Sequence, residues 1–103
     1  MTAQFKLTES ATQDIEEIAD YLSQQSGFDR AERFVRRLND QFSKIAQFPH
    51  IGRSRNEISE GIRSFPVDNS YLILYISAGP SVEILRVVSS YRDLKQLFKS
   101  GIE

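Results

Sequence analysis

At 103 residues, the chain is near the common size of a single domain and makes one core, not two. Its 40% hydrophobic and 26% charged residues exclude disorder as the default, and the absence of cysteine excludes disulfides, thiolate metal sites and a cysteine nucleophile. The net charge of −1 hides an asymmetry: residues 1–29 sum to −5, residues 30–55 to +5, and the rest to −1. The basic middle can meet an acidic partner or nucleic acid, but the simpler expectation for Arg30 to Lys44 is pairing with the acidic first segment inside the fold. No apolar run reaches the ~20 residues of a membrane span, and no signal peptide is visible at Met1. A soluble, cytoplasmic protein without a membrane partner is expected.

"QFKLT" opens with alternation at Phe5 and Leu7, the pattern of a short strand. In "TESATQDIEEIADYLSQQSG", Ala11, Ile15, Ile18, Ala19 and Leu22 recur on one helical face. Thr8 or Ser10 can cap this helix, and Gly27 ends it. A second helix is expected to start at Asp29, with Glu32 completing a capping box. Ala31, Val35, Leu38, Phe42 and Ile45 form its apolar stripe, and Pro49 closes it. Two helices joined by about four residues should form an antiparallel hairpin.

"FPHIGRSRNEISEGIRSF" follows, with the chain's only histidine, His50, and three arginines, Arg53, Arg55 and Arg63. Its glycines at 52 and 61 mark turns. Phe48 and Ile51 are expected to tuck into the core beneath it. Arg53 and Arg63 are expected to bridge the loop to Glu57, Glu60 or the first helix, because arginine pairs bidentately with carboxylates. A lone His50 has no second histidine with which to bind a metal, and no metal or cofactor is expected.

Beyond this point the period switches to two. "GIRSFPV" is a short strand that Pro66 confines to an edge or ends. "YLILYIS" and "VEILRVVS" are strands joined by tight turns, so an antiparallel meander is expected. "SYRDLKQLF" has Ser90 and Asp93 at capping-box spacing and predicts one or two helical turns. In "YLILYI", Leu72, Leu74 and Ile76 face one way, and Tyr71, Ile73 and Tyr75 the other. Both faces are apolar or amphipathic. The helices cover one; the chain's end, a second subunit or a partner must cover the other. Alternation also puts Arg86 on a face with Val82, Ile84 and Val88. There it needs a carboxylate, from Asp93 or a helix-one acid, or a partner that uses it as the floor of a groove.

These elements predict a single α+β domain over 1–103. An N-terminal strand and an antiparallel helical hairpin pack on a mainly antiparallel sheet of about four strands, with a short C-terminal helix.

The order and spacing resemble the ParE/RelE superfamily of bacterial type II toxins, the ParE branch more closely. The resembling residues are Ala11, Asp14, Ile15, Ile18 and Tyr21 in the first helix, and Ala31, Leu38 and Ile45 in the second. "FPHIGR" (48–53) is similar to the family's Pro-x-x-Gly-Arg turn, "GIRSF" (61–65) to its Gly-x-Arg strand start, and "YLILY" to its central strand. "EILRVVSSYRDL" (83–94) is similar to its final strand and Arg-Asp-Leu ending.

The resemblance implies a toxin neutralised by a cognate antitoxin, which binds through an amphipathic helix or an added strand. The second face of "YLILYI" and the edge near Pro66 are the expected receivers. Operator DNA would be bound only through the antitoxin. ParE-like members are associated with inhibition of DNA gyrase; RelE-like members cleave messenger RNA on the ribosome. The expected function is a ParE-like gyrase inhibitor that is not an enzyme, with Arg53, Arg63, Arg86 and Arg92 as candidate contacts to target or antitoxin. One alternative is a ribosome-dependent endoribonuclease; another is a non-toxic relative that only binds antitoxin.

A nuclease of the RelE type uses the RNA's own 2′-hydroxyl as nucleophile. It needs a base for that proton, cations on the phosphate, and an acid for the leaving 5′ oxygen. Its catalytic candidates here would be Arg53, Arg63, Arg86 and Tyr91, joined by Arg55 and Arg92, with His50 or Glu57 as base. Two departures disfavour it: the 48–65 stretch has no lysine, and Ser89 stands near the place where many relatives carry a histidine.

Overall fold

The computed structural model describes residues 4–90. Strand β1 (Gln4–Leu7) leads through Thr8 into helix α1 (Glu9–Ser26). Thr8 is the cap: its backbone is extended, and its Oγ1 accepts from the Ala11 N–H at 3.0 Å. The same hydroxyl donates to the Leu85 carbonyl at 2.9 Å, so the cap also ties the helix start to the last strand.

Gly27 ends α1 at φ +94°, with its N–H on the Ser23 carbonyl at 2.9 Å. Helix α2 (Phe28–Gln47) begins at the next residue. The link is therefore one glycine, not about four residues, because a positive φ reverses the chain in a single step. The expected Asp29 cap is displaced for the same reason: Gly27 occupies the capping position and no side chain bonds there.

Helix α2 buries Ala31, Phe34, Leu38, Phe42, Ile45 and Ala46. Phe34 lies at the centre of this stripe, where its ring meets Tyr71 at 5.1 Å between centroids. The expected Val35 is pushed to the margin and is only half-buried. Helix α1 buries less: Ala11 and Leu22 fully, with Ile15 and Ile18 partly covered.

The sheet has five strands in the order β1-β5-β4-β3-β2. They are β2 (Arg53–Ser54), β3 (Arg63–Val67), β4 (Tyr71–Ala78) and β5 (Ser81–Ser89), with β1 parallel to β5 and every other pairing antiparallel. The strand beyond the expected four is β2. Two residues in a polar loop carry no alternation to read; backbone pairing alone defines them, continued by Arg55 N–H on the Ile62 carbonyl at 2.8 Å.

One irregularity rearranges β5. Tyr75 opposes Ile84 while Leu74 opposes Arg86, so Leu85 is an extra residue in the strand. Val82, Ile84 and Val87 consequently all join the core with Ile73 and Tyr75, under the helices. Val88 is therefore not on the face of Val82 and Ile84, as strict alternation predicts. Leu74 and Val88 belong to the other face, where both are buried. The chain's end, one expected cover for that face, and the expected short helix lie outside the described residues. Among the described residues, no helix is long and apolar enough to cross a membrane.

Candidate functional site

The loop between α2 and β3 is held from below by one side chain. Tyr75 is fully buried on β4, and its hydroxyl reaches up to donate to the Pro49 carbonyl at 2.7 Å. It also accepts from the Gly52 N–H at 2.9 Å. Burial pushes the Tyr75 phenol upward, only partly offset by the Gly52 N–H and Arg63.

Arg63 holds the same turn from the side. Its Nη1 donates to the Gly52 carbonyl at 2.8 Å and, more distantly, to the His50 carbonyl at 3.5 Å. The expected bridge to Glu57 or Glu60 is replaced by a brace on backbone oxygens, because β3 directs Arg63 toward residues 50–52. Arg55 makes the carboxylate contact instead: it lies 3.7 Å from Glu57 and bonds Ser64 Oγ at 2.8 Å. Arg53 pairs through its backbone with Ser64, and its exposed side chain makes no ion pair among the described residues. His50 is exposed.

Phe48 and Ile51 do not tuck into the core. They are 59% and 38% exposed, because the bonds to Pro49 and Gly52 pull the turn's backbone inward and leave these side chains outward.

Arg86 sits two strands away, across β4 from Arg63. Its Nε and Nη2 contact the two oxygens of Asp14 on α1 at 2.6 and 2.9 Å, a bidentate pair. Of the two expected partners, the helix-one acid is the one found. The Asp14 carboxylate also accepts from the Val87 N–H at 3.0 Å, beyond the point where β1 stops pairing at Ile84. The bond to Asp14 raises the Arg86 pKa further, so it stays a cation. The bulge and the carboxylate thus form one joint between α1 and β5.

A third cluster is not legible in the sequence. Asp68, at φ +56° in the turn between β3 and β4, is hydrogen-bonded by Arg37 and lies 3.9 Å from Arg30. Among the described residues, the ion pairs of α2 go to Asp68 and, within the helix, from Arg36 to Glu32. None goes to α1, so the expected pairing of the basic middle with the acidic first segment is corrected. The only signal was an acid in a turn, "DNS", without any spacing to link it to α2.

The structure therefore brings Arg53, Arg55 and Arg63 to one loop and leaves Arg86 at a separate joint. Tyr91 and Arg92 lie outside the described residues. Among the described residues, no group of three or more His, Asp or Glu side chains is gathered to hold a metal ion.

A helical hairpin on this five-stranded sheet defines a small two-layer α+β domain. A chain of the solved structure described as "Chromosomal ParDE TA system from P. aeruginosa" shares the fold, with a TM-score of 0.73 over 85% of this chain and 96% of that one, at 21% identity. The chain belongs to the ParE toxin family of type II toxin–antitoxin systems, parDE, whose family model matches residues 5–94. It is 28% identical over 94 residues to "Toxin ParE1" of Mycobacterium tuberculosis (strain ATCC 25618 / H37Rv), covering 91% of this chain and 96% of that relative. It is 26% identical over 87 residues to "Toxin ParE3" of Caulobacter vibrioides, covering 84% and 86%.

Proposed function

We propose that this ParE toxin inhibits DNA gyrase by binding it, without catalysing a reaction, and that a cognate antitoxin neutralises it in the cytoplasm. The observation that carries the non-enzymatic reading is the engagement of the arginines. A phosphodiester-cleaving centre needs cations converging on one phosphate beside a base. Here Arg63 is spent on loop carbonyls and Arg86 on Asp14, on opposite sides of β4. Operator DNA is met only through the antitoxin, in keeping with this chain's slightly acidic balance, sequence pI ≈ 5.8.

An apolar groove of about 180 Å³ lies between the helices, lined by Leu7, Ile15, Val35, Leu38 and Phe42. It supports an amphipathic antitoxin helix seated by one apolar side chain. The edge near Pro66 gives strand addition less support. Pro66 has no N–H to offer, and its carbonyl already accepts from Gln41 Nε2 at 3.2 Å.

Induction of the chain alone in a bacterial host tests the toxin reading. Growth should stop, and co-expression of the antitoxin encoded beside it should restore growth. Continued growth of cells that hold the folded protein would overturn it.

A further inference from the structure

The turn at residues 48–53 exposes two apolar side chains on a braced backbone. Exposed apolar side chains are ordinary on a protein surface; the bracing beneath this pair is what sets it apart. Here Phe48 is largely and Ile51 partly exposed, and the Ile51 N–H bonds the Phe48 carbonyl at 2.9 Å. Yet the backbone between them and at Gly52 is held by side-chain hydrogen bonds. Tyr75 and Arg63 together place four hydrogen bonds on Pro49, His50 and Gly52. A buried tyrosine and a half-buried arginine are thus committed to a turn that contributes little apolar burial of its own. That is the arrangement of a pre-organised anchor, whose ordering cost is met before any partner arrives.

Apolar exposure and charge select the partner. Two exposed apolar side chains on a braced turn call for an apolar pocket on a folded surface, whereas a helix needs a groove and an added strand needs an edge. The groove lies elsewhere, between α1 and α2. His50 lies between the two apolar residues and Arg53 follows them, both exposed, and Arg53 meets no carboxylate among the described residues. The matching surface is therefore an apolar pocket with an acidic rim. Phosphates would satisfy Arg53 but offer nothing to Ile51, so a protein fits better than a nucleic acid.

We propose that Phe48 and Ile51, with Arg53 beside them, form the knob by which the toxin docks into an acid-rimmed apolar pocket on its target protein, apart from the surface that takes the antitoxin. This rests on the toxin reading above, but not on the identity of the target.

The test uses the full chain and two variants: Phe48→Ser with Ile51→Ser, and Arg53→Glu. The second removes no side-chain hydrogen bond found among the described residues, so its loss of function cannot be assigned to a broken contact there. Growth arrest on induction is read beside the dissociation constant for the antitoxin. Both variants should need at least about tenfold more protein to arrest growth, as loss of an interface anchor costs, while antitoxin affinity stays within about twofold. Variants that arrest growth like the parent would overturn the proposal. So would a fall in antitoxin affinity in step with toxicity, which would assign the knob to the antitoxin. A parent chain that arrests growth without touching supercoiling removes gyrase as the target and leaves the knob standing on the variants' result. A folded parent that does not arrest growth overturns both.

Discussion

Tyr75 and Gly52 occupy one space. The tyrosine hydroxyl lies 2.9 Å from the Gly52 nitrogen, and only 2.6 Å from where a Cβ on residue 52 would stand. Glycine is needed there for room, with the Ser64 carbonyl at 2.9 Å closing the other side. Gly52→Ala should therefore destabilise the fold by about 1–3 kcal/mol, the usual cost of overpacking. Tyr75→Phe should cost about 2 kcal/mol by leaving the Pro49 carbonyl and Gly52 N–H unbonded. Urea denaturation checks both; an unchanged midpoint for Gly52→Ala would mean that the turn yields.

The same tyrosine gives the fold an alkaline limit. Burial raises its pKa, so the folded chain keeps the proton that the unfolded chain loses above pH 10. Its contribution is complete below the unfolded value and is lost as pH rises through the folded one. Tyr71 is raised as well, by burial first and then by Tyr21. Stability should fall on raising pH beyond about 10. The slope should shrink in Tyr75→Phe and again when Tyr71→Phe is added, as followed by denaturation at stepped pH.

Asp14 and Arg86 should show strong coupling. Their side chains are 11% and 15% exposed, so removing one leaves a largely desolvated charge. Asp14→Ala should cost about 3 kcal/mol, including the bond to the Val87 N–H. Asp14→Leu combined with Arg86→Met should be less damaging than the two singles added together. Additive losses in a double-mutant cycle would show that the pair is not acting as one joint.

Asp68 is a different kind of ion pair. Its left-handed backbone costs about 1–2 kcal/mol for most side chains, less for Asp or Asn. Arg37, at 61% exposure, is well screened by solvent. Asp68→Asn should be nearly neutral and Asp68→Gly mild, while Asp68→Ala should lower stability by about 1 kcal/mol. A large loss in Asp68→Asn would mean that charge, not backbone conformation, governs the turn.

Periodicity was enough to read both helices and strands β1 and β3 to β5, because the helices repeat apolar residues along one face and the strands are short apolar or alternating runs between turns. It failed where a single residue changes the count. One glycine replaced a four-residue link, and Leu85 shifted the faces of β5, yet neither leaves a trace in alternation. Phe48 and Ile51 were misplaced because apolar type alone says "inside". What holds them outside is a tyrosine 27 positions after Phe48, whose hydrogen bonds exist only in three dimensions. Arg86 was legible as needing a carboxylate; that Asp14 supplies it follows from where Thr8 starts the helix.

The most direct test of the central claim is plasmid supercoiling by purified gyrase in the presence of the purified chain, with messenger integrity on ribosomes followed in the same preparation. The account expects supercoiling to be lost, messages to stay intact, and antitoxin to restore activity. Cut messages beside normal supercoiling would contradict it.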